Sequence, residues 1–96
     1  MTVIWTVTAV AHLEMIHAYL ESQSAVYAAK TINRLVLAAD ALGDFPLMGR
    51  IVPELQDDRR EVLEKPYRII YRPTETQVEI LAVVHGARGD LERAMR

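Results

Sequence analysis

The stretch YRIIYRPTETQVEILAVVHGAR, residues 67–88, decides the fold. Two runs rich in β-branched and aromatic residues flank PTET, so the segment reads as two antiparallel strands and a tight connection. If the four residues PTET make the turn, Tyr71 lies opposite Val78, Ile69 opposite Ile80 and Tyr67 opposite Ala82. Side chains alternate along a strand, so this set forms one apolar face that should sit against other elements. The opposite face then carries Arg68, Ile70, Arg72, Gln77, Glu79, Leu81, Val83 and His85. A slip of one residue would turn a strand over, so the division of faces depends on that turn.

Working outward, RREVLE (59–64) adds a third strand at close spacing, and consecutive strands with short connections pair antiparallel. TVIWT (2–6) is a short β-branched and aromatic opening strand. Thr6 or Thr8 then caps a helix in which Ala9, Leu13, Ile16 and Leu20 recur on one face. Ser24 caps a second helix with Ala28, Ile32, Leu35, Ala39 and Leu42 on its buried side, and Gly43 suits its end. So short a loop between them predicts an antiparallel helical hairpin. GDFPLMGRIVPELQDD (43–58) reads as a loop, and GDLERAMR (89–96) as a helical turn or a tail. The expected architecture is one α+β domain over residues 1–96. It comprises an N-terminal strand, an antiparallel helical hairpin, and a three-stranded antiparallel sheet with the helices on one face.

Composition narrows the function classes. The 96 residues are about half apolar and a quarter charged, the profile of a soluble globular domain. No apolar run reaches the ~20 residues of a membrane span, and the N-terminus lacks the basic region of a signal peptide. The expectation is an unprocessed cytoplasmic protein with no membrane partner. Cysteine is absent, which excludes disulfides, thiolate metal sites and a cysteine nucleophile. A formal net charge of −2 argues against a phosphate-driven nucleic-acid binder. Arg59, Arg60, Lys65, Arg68 and Arg72 nevertheless crowd into residues 57–73.

Trp5, HLEMIHAYLE (12–21), FPLMGRIVPEL (45–55) and above all RREVLEKPYRIIYR (59–72) followed by VEILAVVHGAR (78–88) resemble the RelE/ParE superfamily, the toxin half of bacterial type II toxin–antitoxin modules. The resemblance covers nearly the whole chain. It implies a small sheet with a helical hairpin on one side, and an antitoxin encoded alongside that wraps the toxin in a hetero-oligomer. RelE-like members cut mRNA in the ribosome. ParE-like members are associated with poisoning DNA gyrase and have no established cleavage chemistry of their own. RelE-like chains are usually strongly basic and carry a tyrosine shortly after the position of His85, whereas this chain has none after Tyr71. The pattern PYRIIYR…VEILAVVHGAR looks more like the ParE branch, with a ParD-like antitoxin. Gly89 before Asp90, and His12 where an acidic residue is usual, depart from the family pattern.

The individual residues admit several roles. In-line attack on RNA needs a base, an acid and positive charge near the phosphorane. In the ribonuclease alternative, carried chiefly by Arg68, His85 and Arg88, the charge would come from Arg68, Arg72 and Arg88. A proton would move through His85, and Glu61 or Glu79 would be the base. The plainer reading makes Arg68 and Arg72 a solvated sheet face with Glu79 as cross-strand partner, Arg60 and Glu61 edge-strand charges, and His85 a strand-end histidine. The apolar strip of Ile70, Leu81 and Val83 rimmed by arginines has the composition of an interface. Arg60, Arg68, Ile70, Arg72, Leu81, Val83, His85 and Arg88 are therefore the expected surface for antitoxin or target. No catalytic residue is assigned under the gyrase reading, and no cofactor or sequence-specific nucleic-acid contact is expected. His12 and His17 lie about 140° apart around a helix, so they do not share a face as metal ligands. Besides gyrase poisoning and mRNA cleavage, a degenerate partner that only binds antitoxin remains open.

Overall fold

A computed structural model describes residues 1–86. The elements run β1 (Thr2–Trp5), α1 (Val7–Glu21), α2 (Ala25–Ala41), β2 (Arg50–Ile51), β3 (Arg60–Glu64), β4 (Tyr67–Pro73) and β5 (Gln77–His85). They form a five-stranded sheet in the order β1-β5-β4-β3-β2. The expected antiparallel trio is present as β3, β4 and β5. The opening strand joins the sheet parallel to β5, and its outward chain path through the helical hairpin supplies the long crossover that parallel pairing needs. The segment read as a loop also contains a strand, because Arg50 and Ile51 pair with Glu61 and Arg60 at the sheet edge. The segment GDLERAMR lies outside the described residues.

The helix boundaries follow from their caps. Thr6 Oγ1 accepts from the Ala9 N–H at 3.2 Å and donates to the Ile80 carbonyl at 2.7 Å. One hydroxyl therefore starts α1 and ties it to β5. Ser24 Oγ accepts from the Tyr27 N–H at 3.2 Å to start α2. Gly43 is required for space rather than for a left-handed turn: no described glycine has positive φ. A Cβ there would come within 2.6 Å of the Met1 carbonyl, while the N-terminal ammonium donates to the Gly43 carbonyl.

The main core joins Ala9 of α1 and Leu35, Ala39 and Leu42 near α2 to Ile69, Tyr71, Val78, Ile80 and Val83 of the sheet. Leu13, Ile16 and Ile32, expected on the buried helical faces, pack against it half-buried. Thr31 is also buried on α2.

The hairpin register differs from expectation at two points. Pro73 belongs to β4 and pairs with Val78, which shifts the ladder by two residues and leaves the faces unchanged, and a bulge further on exchanges them. Tyr71 pairs with Ile80, but Ile70 pairs with Ala82, so a β-bulge places Leu81 without a partner. Ile69 then faces Val83, and Tyr67 faces His85. Beyond the bulge every β5 side chain exchanges sides. Val83 and His85 lie on the helix side, and Ala82 and Val84 replace them on the other.

A side chain of α1 completes this irregular ladder. The Val83 N–H donates to His12 Nδ1 at 3.2 Å. Nδ1 accepts only while it carries no proton, and burial holds the His12 pKa below its ordinary 6.5. The unfolded chain therefore takes up this proton at a higher pH than the folded one. Its contribution is fully present above pH 6.5 and is lost as pH falls from there through the lower folded value. We predict that unfolding by urea at pH 7.5 and 5.5 will show a smaller loss of stability in His12→Gln than in the wild type. Equal losses would remove His12 from the pH response.

Candidate partner-binding surface

The sheet face away from the helices is built around a buried carboxylate. Glu61 on β3 is 1% exposed, and Arg68 on β4 is 6% exposed. Arg68 Nε donates to Glu61 Oε1 at 2.6 Å, and its Nη2 also forms an ion pair with the same carboxylate. The far side of the guanidinium makes a two-pronged contact with Glu54, at 3.0 and 3.1 Å. Arg50 of the edge strand β2 donates through Nε to Glu61 Oε2 at 2.5 Å. Hydrogen bonding from Glu54, followed by Glu61, holds the Arg68 pKa above its ordinary value despite burial. These four side chains bind the edge of the sheet to the segment that follows β2.

That segment also covers an apolar patch. Val52 packs with Ile70, Ala82 and Val84 in a second small core, with Leu55 against it. Ile70 is fully buried, so it is not part of an open aliphatic strip as expected. Val83 is 3% exposed and belongs to the helix-side core. Both corrections follow from features the strand alternation hid: the bulge at Leu81 and the chain folding back over the sheet. Leu81 is half-buried.

The expected charge pairs also rearrange. Arg72 finds Asp58 at 3.1 Å, while Glu79, its neighbour by register, accepts from Gln77. Arg60 is no loose edge charge, since its Nη1 donates to the Gly49 carbonyl at 2.7 Å. Glu61 is likewise no edge charge but the buried centre of the network.

His85 stands apart from Arg68. It is exposed on the helix side, with its ring edge-on to Tyr67 at 6.1 Å between centroids. Burial pushes the Tyr67 phenol up, and the nearby phenols of Tyr27 and Tyr19 push it further. Tyr19 on α1 and Tyr27 on α2 are both more than half exposed. The sequence reads Tyr19 as a core or core-edge residue and assigns no role to Tyr27, whereas both are exposed. Arg88 lies outside the described residues. Of the three side chains chiefly invoked for RNA cleavage, the two described ones are on opposite faces of the sheet. Among the described residues, no group of three or more His, Cys, Asp or Glu is placed to hold a metal ion. No described helix is long and apolar enough to cross a membrane.

The pattern of the ParE toxin of type II toxin–antitoxin systems, parDE, matches residues 3–89. The chain belongs to the ParE toxin family. It is thus a toxin of a type II toxin–antitoxin system, and membership implies an antitoxin partner. Two relatives agree. The candidate toxin Y4kP of Sinorhizobium fredii is 39% identical over 82 residues, covering 84% of this chain and 83% of that protein. Toxin RelE2 of Caulobacter vibrioides is 35% identical over 86 residues, covering 90% and 96%. A solved structure of the chromosomal ParDE system from P. aeruginosa superposes with a TM-score of 0.77 at 23% identity, over 88% of this chain and 95% of that one. This last likeness establishes the ParE-type fold.

Proposed function

We propose that this ParE-family toxin inhibits growth by binding DNA gyrase and trapping its cleaved-DNA intermediate, with a ParD-like antitoxin neutralising it in a cytoplasmic hetero-oligomer. One observation carries the choice of gyrase over mRNA. Arg68, the cation best placed to stabilise a phosphorane, is enclosed by Glu54 and Glu61, while His85 lies on the other side of the sheet. Cleavage needs proton transfer and charge stabilisation at one phosphate. A binding inhibitor needs only a surface. Arg60, Arg72, Leu81 and His85 are the expected docking residues that retain exposure, with His85 on the helix side of the sheet and Arg72 on the other; Arg68, Ile70 and Val83 are buried.

The experiment combines gyrase, supercoiled DNA and ATP with the purified protein, beside a parallel ribosome–mRNA reaction. Linear DNA with intact mRNA is the expected result. Cut mRNA with unaffected gyrase would reverse the assignment.

A further inference from the structure

On the open face, where β3 turns into β4, a shallow groove of ≈ 260 Å³ lies between the edge strand and the sheet end. Arg50, Lys65 and Arg68 bring positive charge to it, and Leu63, Pro66 and Gly86 contribute its other walls. Leu63 is 54% exposed, although a β3 residue. The Arg50 side chain is 65% exposed and contacts Glu61 through Nε, and among the described residues its terminal nitrogens make no hydrogen bond. Lys65 likewise has no ion pair among the described residues. Among the described residues, Glu61 and Glu54 set two carboxylates against the three cations, so the groove carries net positive charge beside apolar surface.

We infer that this groove is a docking site for an acidic and apolar peptide segment of the antitoxin. The inference rests on the reading of the chain as a toxin with such a partner, and it adds where and by what chemistry the partner engages. Charge complementarity selects this occupant. Arg50 and Lys65 both line the groove and would attract a carboxylate, and Leu63 and Pro66 on the same lining would take an adjacent apolar side chain. A nucleic-acid backbone is a poorer match, because Glu54, Asp58 and Glu79 lie on the same face and would repel successive phosphates. The exposed apolar loop of Phe45, Leu47 and Met48 has no comparable charge pattern to specify a partner.

The full-length ¹⁵N-labelled protein would be titrated with the peptide acetyl-LDELLE-amide and its neutral twin acetyl-LNQLLQ-amide, followed by amide chemical shifts. Saturable shifts at Leu63, Lys65, Tyr67 and Gly86 with the acidic peptide alone are expected. Lys65→Glu should weaken that binding at least ten-fold, and circular dichroism would verify its fold. Equal binding of both peptides, shifts elsewhere, or stronger groove shifts with a single-stranded oligonucleotide would overturn the inference. Growth inhibition and its rescue by an adjacent gene test the toxin reading separately. A silent groove in a protein that inhibits growth would defeat the docking site alone. A responsive groove in a protein that inhibits nothing, and that no neighbouring gene product binds, would defeat the antitoxin assignment.

Discussion

Replacing Arg68 with methionine should lower the unfolding free energy by about 3–5 kcal/mol, the usual loss when one partner of a buried ion pair is removed. Methionine keeps most of the apolar stem and deletes the guanidinium. Glu61, almost wholly buried, would then be left with Arg50, which approaches from a largely exposed edge through Nε. Glu54 would lose the planar fork that holds it. Lysine should rescue only part, because a single ammonium cannot match two carboxylates bidentately. Changing Glu61 to leucine in the Arg68→Met background should recover much of the loss, since the uncompensated charge disappears. Urea denaturation of the single and double variants measures the coupling. An Arg68→Met loss below about 1 kcal/mol would mean that water enters and solvates Glu61. This result governs any toxicity assay as well: lost growth inhibition in an Arg68 variant reports on folding first.

The helical hairpin was legible because its signals are local. Thr6 and Ser24 cap where the apolar periodicity begins, and Ala28, Leu35, Ala39 and Leu42 all prove buried. The order of elements and the three antiparallel strands followed from the same kind of signal. The division of the β5 side chains did not. ILAVV, residues 80–84, is apolar at every position, so no alternation marks the extra residue or tells Val83 from Val84. The helix side and the covered side both want apolar residues here, and the bulge satisfies both. The Glu61–Arg68 pair was within reach once β3 and β4 were joined at residues 64–67, because the pair is then diagonal across the hairpin. Glu54 was beyond reach, since its place depends on the chain folding back over the sheet after β2.

The loop preceding β2 offers the second large effect. Gly49→Ala should destabilise the protein by at least about 2 kcal/mol, through overpacking and the loss of buried hydrogen bonds. A Cβ at residue 49 would collide with the Glu61 carbonyl and come within 2.7 Å of Tyr71 Oη and 2.8 Å of its ring. Neither obstacle yields readily. The carbonyl belongs to β3, and Tyr71 is fully buried in the main core. The same phenol accepts from the Gly49 N–H at 2.9 Å and donates to the Pro46 carbonyl at 2.8 Å. Lifting the loop to relieve the clash therefore breaks both bonds and also strains the contact from Arg60 to the Gly49 carbonyl. Tyr71→Phe keeps the ring and removes only the hydroxyl, so it should lose about 1–3 kcal/mol. Because both substitutions undo the same anchor, their combination should fall short of the sum. Urea midpoints of the two single variants and the double variant test this. A Gly49→Ala protein within 0.5 kcal/mol of wild type, or strict additivity, would show that the loop is not held through Tyr71. Residues 45–48 already lie at the surface, and a released loop would bend more readily into a protease site, so faster cleavage there should accompany the loss of stability.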